Sequence, residues 1–155
     1  MTFRILALLL LSVTLAACAP GAGTERLSAG STVDIASAGT QLSVQRAGGG
    51  ILRPLIHSPA LQAAAQAQAD DLRSAERLGH LGADGSTLTD RLRRAGYNSC
   101  ASAENVARGT SDIRTTIAQW MSSAAHRANV LNPQVTQFGF ASSGETWVLV
   151  LARPC

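Results

Sequence analysis

The sequence predicts an α+β fold, with helices first and a β-hairpin last. From Ser58 to Leu131, apolar residues recur at helical spacing between capping residues. From Gln137 to Ala152 the pattern becomes that of strands, with Ser143-Gly144 as the turn between two runs. About 138 residues remain once an N-terminal export segment is set aside, enough for one domain with one core.

The folded unit is expected to occupy residues 40–155. A short helix over 40–47 would partly bury Leu42 and Val44 and stop at Gly48-Gly49-Gly50. Ser58 as N-cap and Pro59 at the first helical position open the next helix, predicted to run to about Leu78. Leu61, Ala65, Ala69 and Leu72 make its buried stripe, while Gln62, Gln66, Asp70 and Arg73 face water. Its alanines permit close approach to another layer. Gly79 ends it and delivers His80 just past its C-terminus. Ser86 caps a helix over 87–95, with Leu88 and Leu92 inward and Gly96 as terminator. Arg91, Arg93 and Arg94, the densest basic cluster, read as its solvated face.

Ser111-Asp112 opens a further helix to about Ser123, and Ile113, Ile117, Trp120 and Met121 are its core stripe. A last turn over 124–131 is stopped by Asn132-Pro133. A short strand is expected over 104–107. Then follow Gln137–Ser142, with Phe138 and Phe140 on one face, and Thr146–Ala152, apolar on both faces as in a strand covered by two layers. Tyr97 and Trp147 read as packing residues with tethered polar ends. His57, beside the Ser58 cap, is expected to be exposed.

Met1 to Arg4 is a short positive region, and Ile5 to Ala17 is apolar, uncharged and shorter than the roughly 20 residues a membrane span needs. Residues 1–17 therefore read as a secretory signal peptide, whose ending at Leu15-Ala16-Ala17-Cys18 resembles a bacterial lipobox. Cys18 would then be the first mature residue and carry the lipid. The alternatives are an ordinary signal peptide with an incidental cysteine, or an uncleaved anchor. By resemblance to lipoprotein sorting rules, Ala19 directs the protein to the outer membrane, facing the periplasm, if the cell has one. Residues 18–39, rich in Gly, Ala, Ser and Thr, read as a flexible tether. Assigning Cys18 to lipid leaves Cys100 and Cys155 as an even pair in an oxidising compartment, expected to form a disulfide; the alternative is two free thiols.

Every basic side chain is arginine. Without Arg4 there are 12 Arg against 10 Asp and Glu, a mature charge near +2, too small and dispersed for a nucleic-acid surface. Walker and dinucleotide-binding glycine patterns are absent, and so is a Gly-x-Ser-x-Gly elbow. Ser122 and Ser123 read as local hydrogen-bonding residues rather than nucleophiles.

Chemistry concentrates in three places: Gly79-His80-Leu81-Gly82-Ala83-Asp84-Gly85-Ser86, Glu104-Asn105-Val106-Ala107-Arg108-Gly109, and Trp120-Met121-Ser122-Ser123 followed by His126-Arg127-Ala128-Asn129-Val130-Leu131. With Arg91-Leu92, Ala95-Gly96-Tyr97, Phe138-Gly139-Phe140 and Trp147-Val148, their order and spacing make the chain from about Leu42 to Ala152 resemble a CAP-superfamily (SCP-like) domain. The resemblance is to the bacterial branch of the group that holds cysteine-rich secretory proteins, antigen 5 and plant pathogenesis-related class 1 proteins. It implies a three-layer α-β-α sandwich with a small antiparallel sheet and a cleft holding two His and two acids. His80 matches the first family His, Glu104 the acid of the Glu-Asn motif, and His126 the second His. Asp84 either supplies the fourth member or holds its turn through its own backbone. Asn105, Ser123 and Asn129 are expected to support the cleft.

Two imidazoles with one or two carboxylates would suit Zn²⁺ or another divalent ion and leave a position for water, with Glu104 as candidate general base. Alternatively the same groups bond one another and fix a helix–sheet junction. The expected function is an exported, lipid-anchored envelope protein that binds a metal ion, a small ligand or an envelope partner in this cleft. The alternatives are a metal-dependent, peptidase-like hydrolase and a lipid or sterol carrier borrowed from eukaryotic relatives.

Overall fold

The structure is a computed structural model and describes residues 33–155. The expected signal peptide, Cys18 and most of the expected tether lie outside the described residues. Helix α1 spans Ile35–Gly48, and the Asp34 carboxylate accepts from the Ser37 N–H as its N-cap. Ordered chain therefore begins before Thr40. Leu42 is buried as expected, but Val44 is 63% exposed. Strand β1 is Ile56–His57, helix α2 is Pro59–Ser74 and helix α3 is Leu88–Arg94. Strand β2 is Ser99–Arg108, α4 is Ile113–Ser122 and α5 is Ala124–Val130. The hairpin is β3, Gln137–Ser143, and β4, Thr146–Pro154. No described helix is long and apolar enough to cross a membrane.

The sheet runs β1-β3-β4-β2 and is mixed: β1 lies parallel to β3, and the other pairs are antiparallel. The parallel strand was missed because two residues carry no periodicity. Strand β2 starts five residues before Glu104, where Ser and Ala give little strand signal but pair with β4 all the same. The β3–β4 turn closes at Ser143↔Thr146, with Gly144 at φ 56°.

Central β4 explains the layers. Trp147, Leu149 and Leu151 join Leu42, Ile117, Trp120, Val130 and Phe140 in one cluster under α1, α4 and α5. Val148, Val150 and Ala152 join Leu61, Ala65, Ala69, Leu72 and Leu92 in another under α2 and α3. Alternation along one strand thus feeds two cores, and the architecture is the three-layer α-β-α sandwich. Tyr97 Oη donates to Gln137 Oε1 at 2.7 Å, and Trp147 Nε1 donates to the Thr110 carbonyl at 2.8 Å.

Ser58 caps α2, and small residues bring this helix onto β3 so closely that a Cβ at Gly139 would collide with the backbone of Leu61 and Gln62. Gln62, expected to face water, is buried. Strand β1 stops at His57, so Phe140 of β3 has no strand neighbour on that side. The Gln62 amide replaces one, giving to the Phe140 carbonyl and accepting from its N–H, both at 2.9 Å. His57 is half-buried rather than exposed, with its ring edge-on to Phe138 at 5.7 Å. Arg46, also buried, donates to the carbonyls of Val130 (2.7 Å) and Asn132 (3.0 Å) and so joins α1 to the end of α5. Cys100 and Cys155 are bonded, which ties the chain end to the start of β2.

Candidate functional site

Helix α2 ends at Ser74, with Ala75 as its C-cap, short of Leu78, and Glu76 turns the chain at φ 49°. His80 therefore sits in a loop rather than at a helix end. Three successive carbonyls of that loop are held by side chains. Gln68 Nε2 donates to Gly79 O (3.2 Å) and Leu81 O (3.4 Å), Arg91 Nη1 to His80 O (3.2 Å), and Arg77 Nη2 to Leu81 O (2.7 Å). Arg91 Nη1 also reaches Ser86 O at 3.0 Å, at the far side of the loop. The cap of α3 is Thr87, not Ser86, in a reciprocal capping box with Asp90.

Glu104 is buried on β2. Its Oε1 lies 2.9 Å from His80 Nδ1 and its Oε2 2.6 Å from Arg91 Nη2. The side chains of Arg91 and Glu104 are each 3% exposed, whereas that of His80 is 61% exposed. Arg91 is therefore not on the solvated face; only Arg93 and Arg94 are. Its spacing could have shown this, because Leu88, Arg91, Leu92 and Ala95 follow i, i+3, i+4, i+7. The expectation followed charge instead of position.

The next residue on β2 recruits the opposite layer. Asn105 Nδ2 donates to the His126 carbonyl at 3.0 Å, while Asn129 Nδ2 donates to Asn105 Oδ1 (2.8 Å) and to Glu104 O (3.3 Å). Glu104 thus holds the His80 loop and α3, and Asn105 holds α5 with His126. Ser123 forms the joint between α4 and α5; its carbonyl accepts from Arg127 N–H, and its hydroxyl makes no capping bond. Asp84 is drawn elsewhere: Oδ1 accepts from Ser86 N–H at 2.9 Å and Oδ2 pairs with Arg94 at 2.7 Å. Hydrogen bonds from the Ser86 hydroxyl first, then from the Ser86 N–H and Arg94, hold its carboxyl well below the usual range.

The hydrogen bond to Glu104 raises the pKa of His80, opposed by desolvation. Desolvation lowers that of His126, and the His80 charge lowers it further, so the two rings sense each other. Among the described residues no three His, Cys, Asp or Glu side chains are arranged to hold a metal ion. Glu104 is engaged through both oxygens and Asp84 through both of its own. As arranged, the two carboxylates are bonded to protein donors and are not gathered with the two imidazoles around one point. With Nδ1 of His80 as the donor to Glu104, Nε2 is left on an exposed ring, an acceptor in the neutral imidazole and a donor once the ring is protonated.

The model of the cysteine-rich secretory protein family (CAP) matches residues 46–150. The protein YkwD of Bacillus subtilis is 29% identical over 98 residues, 62% of this chain and 38% of that protein. An extracellular protein containing an SCP domain from Bacillus anthracis superposes with a TM-score of 0.71 at 24% identity, covering 76% of this chain and 39% of the other. An outer surface protein from Borrelia burgdorferi superposes with a TM-score of 0.70 at 16% identity, over 81% and 99%. The chain spans about two fifths of the two Bacillus proteins. At these identities the structural likenesses show the fold.

Proposed function

The chain belongs to the CAP, or cysteine-rich secretory protein, family, and from that premise we propose that it is an exported, lipid-anchored module of the bacterial envelope whose cleft binds a small ligand or an envelope partner. One observation carries the binding part. His80 is held at Nδ1 by a buried carboxylate while most of its ring faces solvent, which leaves Nε2 to meet whatever enters beside His126, as an acceptor when the ring is neutral and as a donor when it is protonated. Glu104 orients this imidazole, and its two engaged oxygens favour that role over general base. The metal-dependent hydrolase has no comparable support in the geometry. Export and anchoring rest on the N-terminal pattern, with Cys18 as the lipid-bearing residue, and accord with relatives described as extracellular or outer surface proteins.

The full chain, purified in detergent, would be used to capture partners from envelope extract. His80→Ala with His126→Ala should lose the partner that the wild type retains. Equal capture by both proteins would refute recognition through the cleft.

A second reading, lipid or sterol carriage, has one feature in its favour. An apolar groove of ≈ 710 Å³ runs along α1, lined among others by Ile35, Val44, Leu52, Leu55 and Phe138. Native mass spectrometry should then find a co-purifying lipid that Val44→Asp removes; a lipid-free wild type, with none taken up from added vesicles, retires this reading.

A further inference from the structure

We propose that Arg91 is the positioning residue of the cleft, the group that aims His80; this rests on the reading of the cleft as a binding site. One guanidinium reaches His80 by two routes. Through Nη2 it holds Glu104 Oε2 at 2.6 Å, which turns the other carboxylate oxygen toward His80 Nδ1. Through Nη1 it holds the carbonyl of His80 itself at 3.2 Å and that of Ser86 at 3.0 Å, closing the loop across its mouth. Backbone and ring of the same histidine are thus tied to one planar group. That group is in turn fixed by α3, whose capping box sets its start and whose Leu92 is buried next to Arg91.

The arrangement needs arginine. A carboxylate and two carbonyls are met by a rigid fork of donors; an ammonium carries the same charge but is a point, and cannot span all three. Burial raises the stakes, because Arg91 Nε is itself buried without a hydrogen-bond partner. Apart from polar contacts from Gln68, Arg77, Asp71 and Arg94, none of which touches the His80 ring or its carbonyl, the loop has little to order it: it carries Gly79, Gly82 and Gly85, and its large apolar residues Leu78 and Leu81 are more than half exposed. A histidine meant to meet a ligand from such a loop would otherwise sample many directions. Held this way, it presents one ring nitrogen in one orientation before any ligand arrives.

The test uses the full chain as wild type, Arg91→Lys and Glu104→Gln, with two readouts that loss of packing alone would not move together. Long-range ¹⁵N–¹H spectra of the imidazoles, taken where His80 is neutral, report its tautomer. Amide hydrogen exchange reports the loop over 80–86 against the core of β4. In the wild type His80 should be a single tautomer with the proton on Nδ1. In Arg91→Lys the tautomers should mix and loop exchange should rise by at least about tenfold while β4 amides hold. Glu104→Gln removes only the first route, so it should mix the tautomers and leave the loop protected. The proposal is overturned by Arg91→Lys with a wild-type tautomer and a protected loop, by exchange that rises equally throughout, or by mixed tautomers already in the wild type. If Arg91→Lys does not fold, the wild-type and Glu104→Gln spectra still decide the tautomer route. Failure of envelope capture would refute the cleft as a binding site and leave these spectra as they are, so the two failures are distinguishable.

Discussion

Removing one partner of the Arg91–Glu104 pair should destabilise the fold at least as much as removing both. The two side chains are each 3% exposed and 2.6 Å apart. Arg91→Met leaves a buried carboxylate with His80 as its one side-chain partner, strips the side-chain donor from His80 O and leaves Ser86 O with the Gly82 N–H alone. Glu104→Met leaves a buried guanidinium facing two carbonyls and no anion. Each single change should lower stability by about 3–5 kcal/mol, the usual penalty for an uncompensated buried charge. The double variant buries two thioethers, and what remains is mainly the His80 carbonyl without its donor, about 1–3 kcal/mol at most, since Ser86 O keeps the Gly82 N–H. It should therefore be at least as stable as either single variant, which gives a coupling of at least about 3 kcal/mol. Urea unfolding followed by tryptophan fluorescence is suited to the measurement, because Trp120 and Trp147 are both buried in the core. The domain should survive the single changes if its total stability is in the ordinary 5–15 kcal/mol range. Additivity of the two single effects to within about 0.5 kcal/mol would refute the claim that the pair is one buried unit.

The histidines should titrate apart. His80 should lose its proton above the ordinary value of 6.5 and His126 below it, with the separation shrinking in Glu104→Gln; coincident titration by NMR would contradict the geometry. Because the folded-state pKa of His80 is raised, its stabilisation relative to His80→Ala should be complete below about pH 6.5 and fade as pH rises through the folded value; His126 acts in the opposite sense, detracting as pH falls below about 6.5. Replacing Cys100 and Cys155 with serine should lower stability by about 4 kcal/mol, the chain-entropy value for a closure of 55 residues, and a loss below about 1 kcal/mol would show that the β2–β4 ladder already supplies the constraint. Gly139→Ala should destabilise by about 3 kcal/mol or more, since its Cβ meets backbone that no side-chain rotation can clear; a wild-type urea midpoint would show that α2 shifts freely.

Much of the fold was legible. The stripe Leu61-Ala65-Ala69-Leu72, the cap Ser58-Pro59 and the two-faced run of β4 all buried as their periods required. Errors fell where a polar side chain does a backbone's work. Gln62 looked like a wet residue because glutamine usually is, yet it stands in for a missing strand beside Phe140. Arg91 looked solvated because it shares a run with Arg93 and Arg94, yet its helical position aims it at Glu104. Gly79 points to His80 at a helix end, but α2 stops earlier and leaves a loop held by polar contacts, among them the captured carbonyls of Gly79 and His80.

Local pattern alone determined where most helices and the closing hairpin lie, which of their faces are apolar and which three segments hold ionisable groups, because those properties depend on spacing within a few residues. What the ionisable groups do to one another was decided in three dimensions. Glu104 and Asn105 are neighbours in sequence but point to opposite faces of β2, and the partners that meet them there come from α3, the His80 loop and α5. Whether a carboxylate is free for an incoming ion or already held by a guanidinium depends on distances of a few ångströms between segments more than ten residues apart, and no one-dimensional period encodes them.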